Sequence, residues 1–332
     1  MKSLFQPAGP DFAPLGIAIG HATDPTGVTG STVIRRVTGA MRCGGVQVGR
    51  ALASREFSIA EPWHSTDRVD ALLLTGGSAY GLDAAAGVMR WMEEHQRGFP
   101  IAGGVVPIVP AAAIFDLGMM GPFNTRPTPD VAYAACAAAV ATPAEGSVGA
   151  GTRASVGKVA GAARAMKGGF GAWVVRSGEI VVGAAVVTNP VGDIRDGAGR
   201  IIAGARGDAG RFLDATSVLT SGGPRRGDED PAGMNTTIGA VMTNVLMSRI
   251  ELQQLARAAT AAWFRRITPC ATQFDGDTMF ALGPMEGITA SPVAVEVLAV
   301  QAMEMAVERS VRMARGRDGV PGLADPAPPR EK

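Results

Sequence analysis

Asn235-Thr236-Thr237 stands between a Gly-, Asp- and Arg-rich stretch and the apolar run Ile238 to Val245. At such a place a chain can cut itself. The Thr236 hydroxyl attacks the preceding carbonyl, the acyl group moves from nitrogen to oxygen, and hydrolysis of the ester leaves threonine as a new N-terminus. One residue then carries both nucleophile and base, and no catalytic histidine is required. The freed α-amine has a reference pKa of about 7.7–8.0, so near neutral pH it accepts the hydroxyl proton. The same tripeptide also reads as an ordinary turn entering a strand, and its companions must decide.

Four companions have suitable chemistry. Lys158 follows the glycine-rich stretch Gly149-Ala-Gly-Thr152 and Gly157, where backbone can approach a small site closely and a cation would favour hydroxyl deprotonation. Asn189 precedes Pro190 at the end of an apolar run, where its amide could donate to an oxyanion. Asp275 and Asp277 are two residues apart, so in extended backbone their carboxylates share one face and could hold Lys158 or the threonine amine. Each has an ordinary alternative: a solvated lysine, an Asn-Pro turn, an Asp-Gly turn. Their joint occurrence favours the site.

Other chemistries fail on spacing. Gly151 to Gly157-Lys158 is not a P-loop, because five residues separate the glycines and Val159 stands where a magnesium-binding hydroxyl belongs. Ser78 has no glycine two residues later and so lacks the nucleophile-elbow pattern. His21, His64 and His95 have no metal-ligand spacing, and neither a metal nor an organic cofactor is expected. Asn235-Thr-Thr also fits a glycosylation sequon, which carries no weight without a secretory route.

Elements must bring these residues together. Ala71 to Leu74 reads as a buried strand running into the turn Thr75-Gly-Gly-Ser78, and Leu82 to His95 as a helix closed by Gly98. Asp130 to Thr142 reads as a second helix, and Ala172–Val175 with Ile180–Val187 as a hairpin around Arg176-Ser-Gly-Glu179. Gly204 to Met234 reads as an exposed connection, followed by a strand from Ile238 to Val245. Ser248-Arg-Ile-Glu251 is a capping box opening a helix to about Arg266. Phe274-Asp-Gly-Asp277 suggests a hairpin tip before a strand Thr278 to Leu282, Ser291-Pro292 starts a helix reaching about Arg315, and Gly316 to Lys332 reads as a disordered tail.

Composition narrows the setting. With 332 residues and 46% hydrophobic content the chain can bury a full core, and a net charge of +1 with 5% aromatics offers nucleic acid neither a basic field nor a stacking platform. Cys43, Cys136 and Cys270 are widely spaced and expected to be reduced and buried. No signal peptide or membrane span is evident. The expected setting is cytoplasmic.

These residues together resemble a known family: the self-processing N-terminal-nucleophile hydrolases that include D-aminopeptidase/esterases, β-peptidyl aminopeptidases and nylon-oligomer hydrolases. The resemblance covers most of the chain. It rests on Asn235-Thr-Thr-Ile238 through Thr243-Asn-Val245, Met247-Ser248, Glu251-Leu252 and Phe274-Asp-Gly-Asp-Thr278. Support comes from Asp24-Pro-Thr-Gly27-Val28-Thr29, Thr75-Gly-Gly-Ser-Ala-Tyr80-Gly-Leu82, Ala150-Gly151 to Gly157-Lys158-Val159, and Val187-Thr-Asn189-Pro-Val-Gly192. Threonine rather than serine at Thr236 resembles the 6-aminohexanoate-oligomer hydrolase branch. The resemblance implies an α+β fold, a four-layer αββα sandwich with the nucleophile opening a central strand. It implies one domain over residues 1–332, cut into 1–235 and 236–332, with the two chains staying associated and assembling as a tetramer of pairs. It also implies hydrolysis of small peptides, amino-acid amides or esters, or ω-amino-acid oligomers, by Thr236 with Lys158, Asn189, Asp275 and Asp277. Acyl transfer, as in ornithine acetyltransferase, is the alternative. Relatives often carry tyrosine at the position of Phe115; with that hydroxyl missing, Phe115 is a candidate substrate contact and Tyr80 the residue that could compensate.

Overall fold

Strands that are apolar at consecutive positions need cover on both faces. The computed structural model, which describes residues 5–222 and 235–326, supplies it with four layers. The two main sheets are built from β1 Phe5–Gly9, β2 Ile17–Thr23, β3 Gly30–Arg36, β4 Met41–Gln47, β5 Ser54–Arg55, β6 Ala71–Thr75, β7 Ala111–Ala113, β8 Gly169–Ser177, β9 Ile180–Asn189, β10 Thr236–Thr243 and β11 Thr278–Pro284. One sheet runs β1-β8-β9-β10-β11-β4, the other β2-β3-β6-β7-β5. The helices are α1 Ser78–Gly81, α2 Ala85–Glu94, α3 Pro129–Ala137, α4 Ala215–Thr220, α5 Arg249–Arg266 and α6 Pro292–Arg312.

Period-two alternation sorts the core. Val182, Ala184 and Val186 of β9, with Val241, Met279 and Ala281, pack beneath Leu252 and Leu255 of α5 and Ala299 and Met303 of α6. Their neighbours Val181, Ala185, Val187, Ile238, Ala240 and Phe280 face Ile19, Ile34, Leu72 and Leu74 of the second sheet. That sheet's outer face, with Val33 and Leu73, is covered by Val88 and Met92 of α2 and Ala132 and Ala135 of α3. The order is therefore helix, sheet, sheet, helix, as expected for an αββα sandwich.

Register matters most for the site. The antiparallel pairing of β9 with β10 sets Asn189 opposite Thr236, and the parallel pairing of β10 with β11 sets Ile238 opposite Thr278. The capping box is present, Glu251 N–H donating to Ser248 Oγ at 3.3 Å and Ser248 N–H to Glu251 Oε2 at 2.7 Å.

Several expectations need correction. The β8–β9 hairpin turns on Gly178 and Glu179 alone, since Ser177 already pairs with Ile180. α3 stops at Ala137 because Val140 exchanges backbone hydrogen bonds with Ile19. Residues 274–277 are not a hairpin tip: Ile267–Thr268 before them pairs with Asp193–Arg195 in another sheet, so the turn joins two sheets. The connection after Gly204 contains the buried Ala205 and α4, and its residues 223–234 lie outside the described residues. The chain after α6 is placed as far as residue 326; Lys167 N–H donates to the Pro321 carbonyl at 2.9 Å and Ala324 N–H to that of Ala314 at 2.9 Å. Residues 327–332 lie outside the described residues. Cys43 and Cys136 are buried free thiols, and Cys270 is half-buried. No described helix is long and apolar enough to cross a membrane.

Candidate active site

Thr236 opens β10 in the middle of the six-stranded sheet, and Asn235 before it forms a parallel bridge with Asp275. Both are buried. The Thr236 hydroxyl donates to the Asn235 carbonyl oxygen at 2.5 Å, and the Gly276 N–H donates to that same oxygen at 3.0 Å. Gly276 has little room for a side chain: a Cβ there would come within 2.3 Å of the Ala51 carbonyl oxygen and 3.1 Å of Thr236 Oγ1.

Lys158 reaches this place from a short 3-10 turn over Lys158–Ala160. Gly157 before it sits at φ +68°, where a Cβ would meet Gly204 and Ala205 backbone at about 2.1 Å. The lysine is buried, and its Nζ donates to the Asn189 carbonyl at 2.7 Å and to Asn189 Oδ1 at 3.0 Å. Burial pushes its pKa down to about 7, against the pull of the Asp275, Asp116 and Asp277 carboxylates. A lysine in this state exchanges a proton near neutrality.

Asn189 is held from two sides. Its Oδ1 accepts from the Ser155 N–H at 3.0 Å as well as from Lys158, and its Nδ2 donates to the Phe115 carbonyl at 2.8 Å. The contact that Phe115 makes with Asn189 is thus through its main chain. Asp277 accepts from Thr237 N–H at 2.6 Å and Ala271 N–H at 2.9 Å, while Asp275 accepts from Thr272 N–H at 3.0 Å and its hydroxyl at 2.6 Å. Burial raises both carboxyl pKa values, and the Asp275 charge raises that of Asp277 further.

The structure therefore brings Thr236, Asn235, Lys158, Asn189, Asp275 and Asp277 to one end of β9, β10 and β11. Tyr80 is not among them: the residue is 55% exposed on α1, with the Arg126 guanidinium 3.4 Å from its ring centroid. Three contributors lie outside the sequence-derived set. Ser155 orients Asn189; Asp116 takes the Thr29 hydroxyl at 2.6 Å and the Gly77 N–H at 2.7 Å, fixing the backbone beside Phe115; and the buried Arg153 binds the Met119, Gly121 and Pro122 carbonyls. Neither Thr152-Arg-Ala-Ser155 after a glycine-rich stretch nor Phe115-Asp-Leu117 carries a periodic signal that marks them. Among the described residues no group of three or more His, Cys, Asp or Glu is placed to hold a metal ion.

Known proteins match this chain over most of its length. The sequence profile of peptidase family S58 matches residues 15–322. An uncharacterized aminopeptidase of Mycobacterium leprae is 40% identical over 302 residues, covering 84% of this chain and 80% of that protein. A 6-aminohexanoate-oligomer endohydrolase of Paenarthrobacter ureafaciens is 35% identical over 288 residues, covering 80% of this chain and 72% of that one. The L-aminopeptidase D-Ala-esterase/amidase of Ochrobactrum anthropi, described as a variant of the Ntn hydrolase fold, superposes with a TM-score of 0.69 at 20% identity over 94% of this chain and 88% of that one.

Proposed function

The chain belongs to peptidase family S58 and is an amide-bond hydrolase, and we propose that it cleaves itself between Asn235 and Thr236 and then uses Thr236 as its N-terminal nucleophile. The observation that carries this reading is the buried Asn235–Thr236 peptide, whose carbonyl oxygen meets both the Thr236 hydroxyl and the Gly276 N–H.

In the first step the Thr236 hydroxyl oxygen bonds to the Asn235 carbonyl carbon and the Asn235–Thr236 C–N bond breaks, the nitrogen taking up a proton. The Gly276 N–H faces the oxygen on which negative charge develops, as an oxyanion donor does. The α-amine is not yet free, so another group must take the hydroxyl proton. Lys158, with its pKa lowered to about 7, is neutral in a large fraction of molecules at that pH and fits this role. Water then hydrolyses the ester, giving an Asn235 carboxylate and a free Thr236 amine and hydroxyl.

In turnover the Thr236 amine serves as base and its hydroxyl accepts the acyl group of the substrate. The leaving amine departs with a proton, and water releases the acid. Asn189 and Lys158 steady the developing charge, and Asp275 and Asp277 position the lysine and the start of β10. Substrates are small peptides, amino-acid amides or esters, or ω-amino-acid oligomers of the kind named for the endohydrolase relative. Residues 1–235 and 236–332 stay together as one domain after the cut, the pairs assemble as tetramers, and the enzyme works in the cytoplasm.

Intact-mass measurement of the purified protein and of Thr236→Ala tests the reading. Two fragments beginning at Met1 and Thr236, absent from the variant, are the expected result. A wild-type chain that stays whole and still hydrolyses amides would overturn it.

A further inference from the structure

Five arginines lie over aromatic rings, and one differs from the rest. Arg90 over Tyr133 pairs with Asp130 at 2.7 Å, and Arg309 over Trp173 is bound to Glu145. Arg35 and Arg97, both over Trp91, donate to backbone carbonyls. The Arg126 guanidinium carbon lies over the Tyr80 ring, 3.4 Å from its centroid, with the Phe123 centroid at 5.8 Å. Among the described residues it makes no hydrogen bond or ion pair, and its Nε is buried without a partner. A guanidinium stacked on a ring commits its face and leaves its in-plane N–H fork open, the geometry that takes a carboxylate through two parallel hydrogen bonds.

Both halves of the stack hang from residues that hold the site. Tyr80 is on α1, whose N-terminal Gly77 donates to Asp116, next to the Phe115 carbonyl that binds Asn189. Arg126 ends the loop whose carbonyls at Met119, Gly121 and Pro122 are gripped by Arg153, two residues before the Ser155 that binds the same Asn189. Tyr80 and Phe123 are 55% and 54% exposed and Arg126 is half-buried with its Nε shielded, so a carboxylate would meet its two terminal Nη groups.

We propose that Arg126, braced by Tyr80, receives the free carboxylate at the far end of the amide substrate. The proposal rests on Thr236 being the nucleophile and specifies its substrate class: carboxylate-ended peptides and ω-amino-acid oligomers, in preference to the same chains ending in a carboxamide or ester.

The test compares wild type with Arg126→Gln, and with Arg126→Lys, on the linear dimer of 6-aminohexanoate and on its terminal carboxamide. A charged hydrogen-bonded contact contributes about 1.5–3 kcal/mol, so the preference for acid over carboxamide, taken as the ratio of their KM values, should fall by about tenfold or more in Arg126→Gln and less in Arg126→Lys. An unchanged ratio in a variant that still processes overturns the proposal. Intact mass separates this from failure of the Thr236 reading. Saturation-transfer NMR with the same two ligands needs no turnover: loss of the acid-specific signal in Arg126→Gln supports the carboxylate site, and equal signals in wild type and variant overturn it.

Discussion

The two lysines among the described residues are both buried, and they sit in different surroundings. Lys158 donates to the Asn189 carbonyl at 2.7 Å and to Asn189 Oδ1 at 3.0 Å, across the sheet from Thr236. Lys167 donates to the Thr152 carbonyl at 2.9 Å and that of Ala154 at 2.7 Å, tying down the loop that leads to Ser155. Burial lowers the pKa of both to about 7; the next largest influence is the attracting Asp275 charge for Lys158 and the repelling Arg317 charge for Lys167. A perturbed proton affinity therefore marks burial in both places, and what distinguishes a chemical role is what the ammonium can reach. Lys158 reaches the cross-strand partner of the proposed nucleophile. Lys167 reaches only main chain.

The contrast can be broken most directly by Lys158→Met, which should slow both self-cleavage and turnover by about 10²–10³-fold, the usual loss on removing one preorganised charge or donor. Fragment formation followed by intact mass, and kcat on a simple amide, measure it; equal losses in Lys167→Met would mean that the two lysines are not different in kind. A smaller effect is expected from Lys167→Met on stability. The carbonyls of Thr152 and Ala154 lose their donor, which costs about 1–3 kcal/mol, read as a lower urea midpoint with fragment formation retained.

A further effect, common to both lysines, is on stability against pH. In the folded chain each lysine is neutral above about pH 7, whereas in the unfolded chain it keeps its proton to about pH 10.4. Between those limits the unfolded state binds more protons, so stability rises with pH, by at most about 1.4 kcal/mol per unit for each lysine. Below pH 7 both states are protonated and the burial penalty is present in full. Each single Met variant should flatten the rise by about one proton in denaturation curves taken from pH 7 to 10. A variant that keeps the wild-type slope would show that its lysine is charged in the fold.

Much of this was legible from residue pattern. The β8–β9 hairpin, the strand at Ile238 and the capping box of α5 all follow from local signals, and they place Asn189 and Thr236 on strands that pair. Local signals failed where a distant partner decided the outcome. Residues 274–277 have the composition of a hairpin tip, but the parallel pairing of β10 with β11 assigns them to a crossing between sheets. α3 loses its last turn to a bridge with Ile19. Lys167 in Ala-Met-Lys-Gly has nothing in sequence to distinguish it from a surface lysine, since the carbonyls it satisfies come from a loop more than ten residues away. Asp116 and Arg153 give no local signal for the same reason: the Thr29 hydroxyl and Gly77 N–H that meet Asp116, and the carbonyls that meet Arg153, are remote in sequence.

The strand order of the first sheet also bears on the sequence of events in biosynthesis. β10 and β11, both downstream of Asn235, lie side by side, flanked by β9 on one side and β4 on the other, strands that both precede Asn235. A polypeptide made from Thr236 onward alone would present two unpaired edges, open templates for joining other chains. Separate synthesis of the two pieces is therefore a route to insoluble material. If the chain cuts itself as proposed, folding has to come first and the cut second.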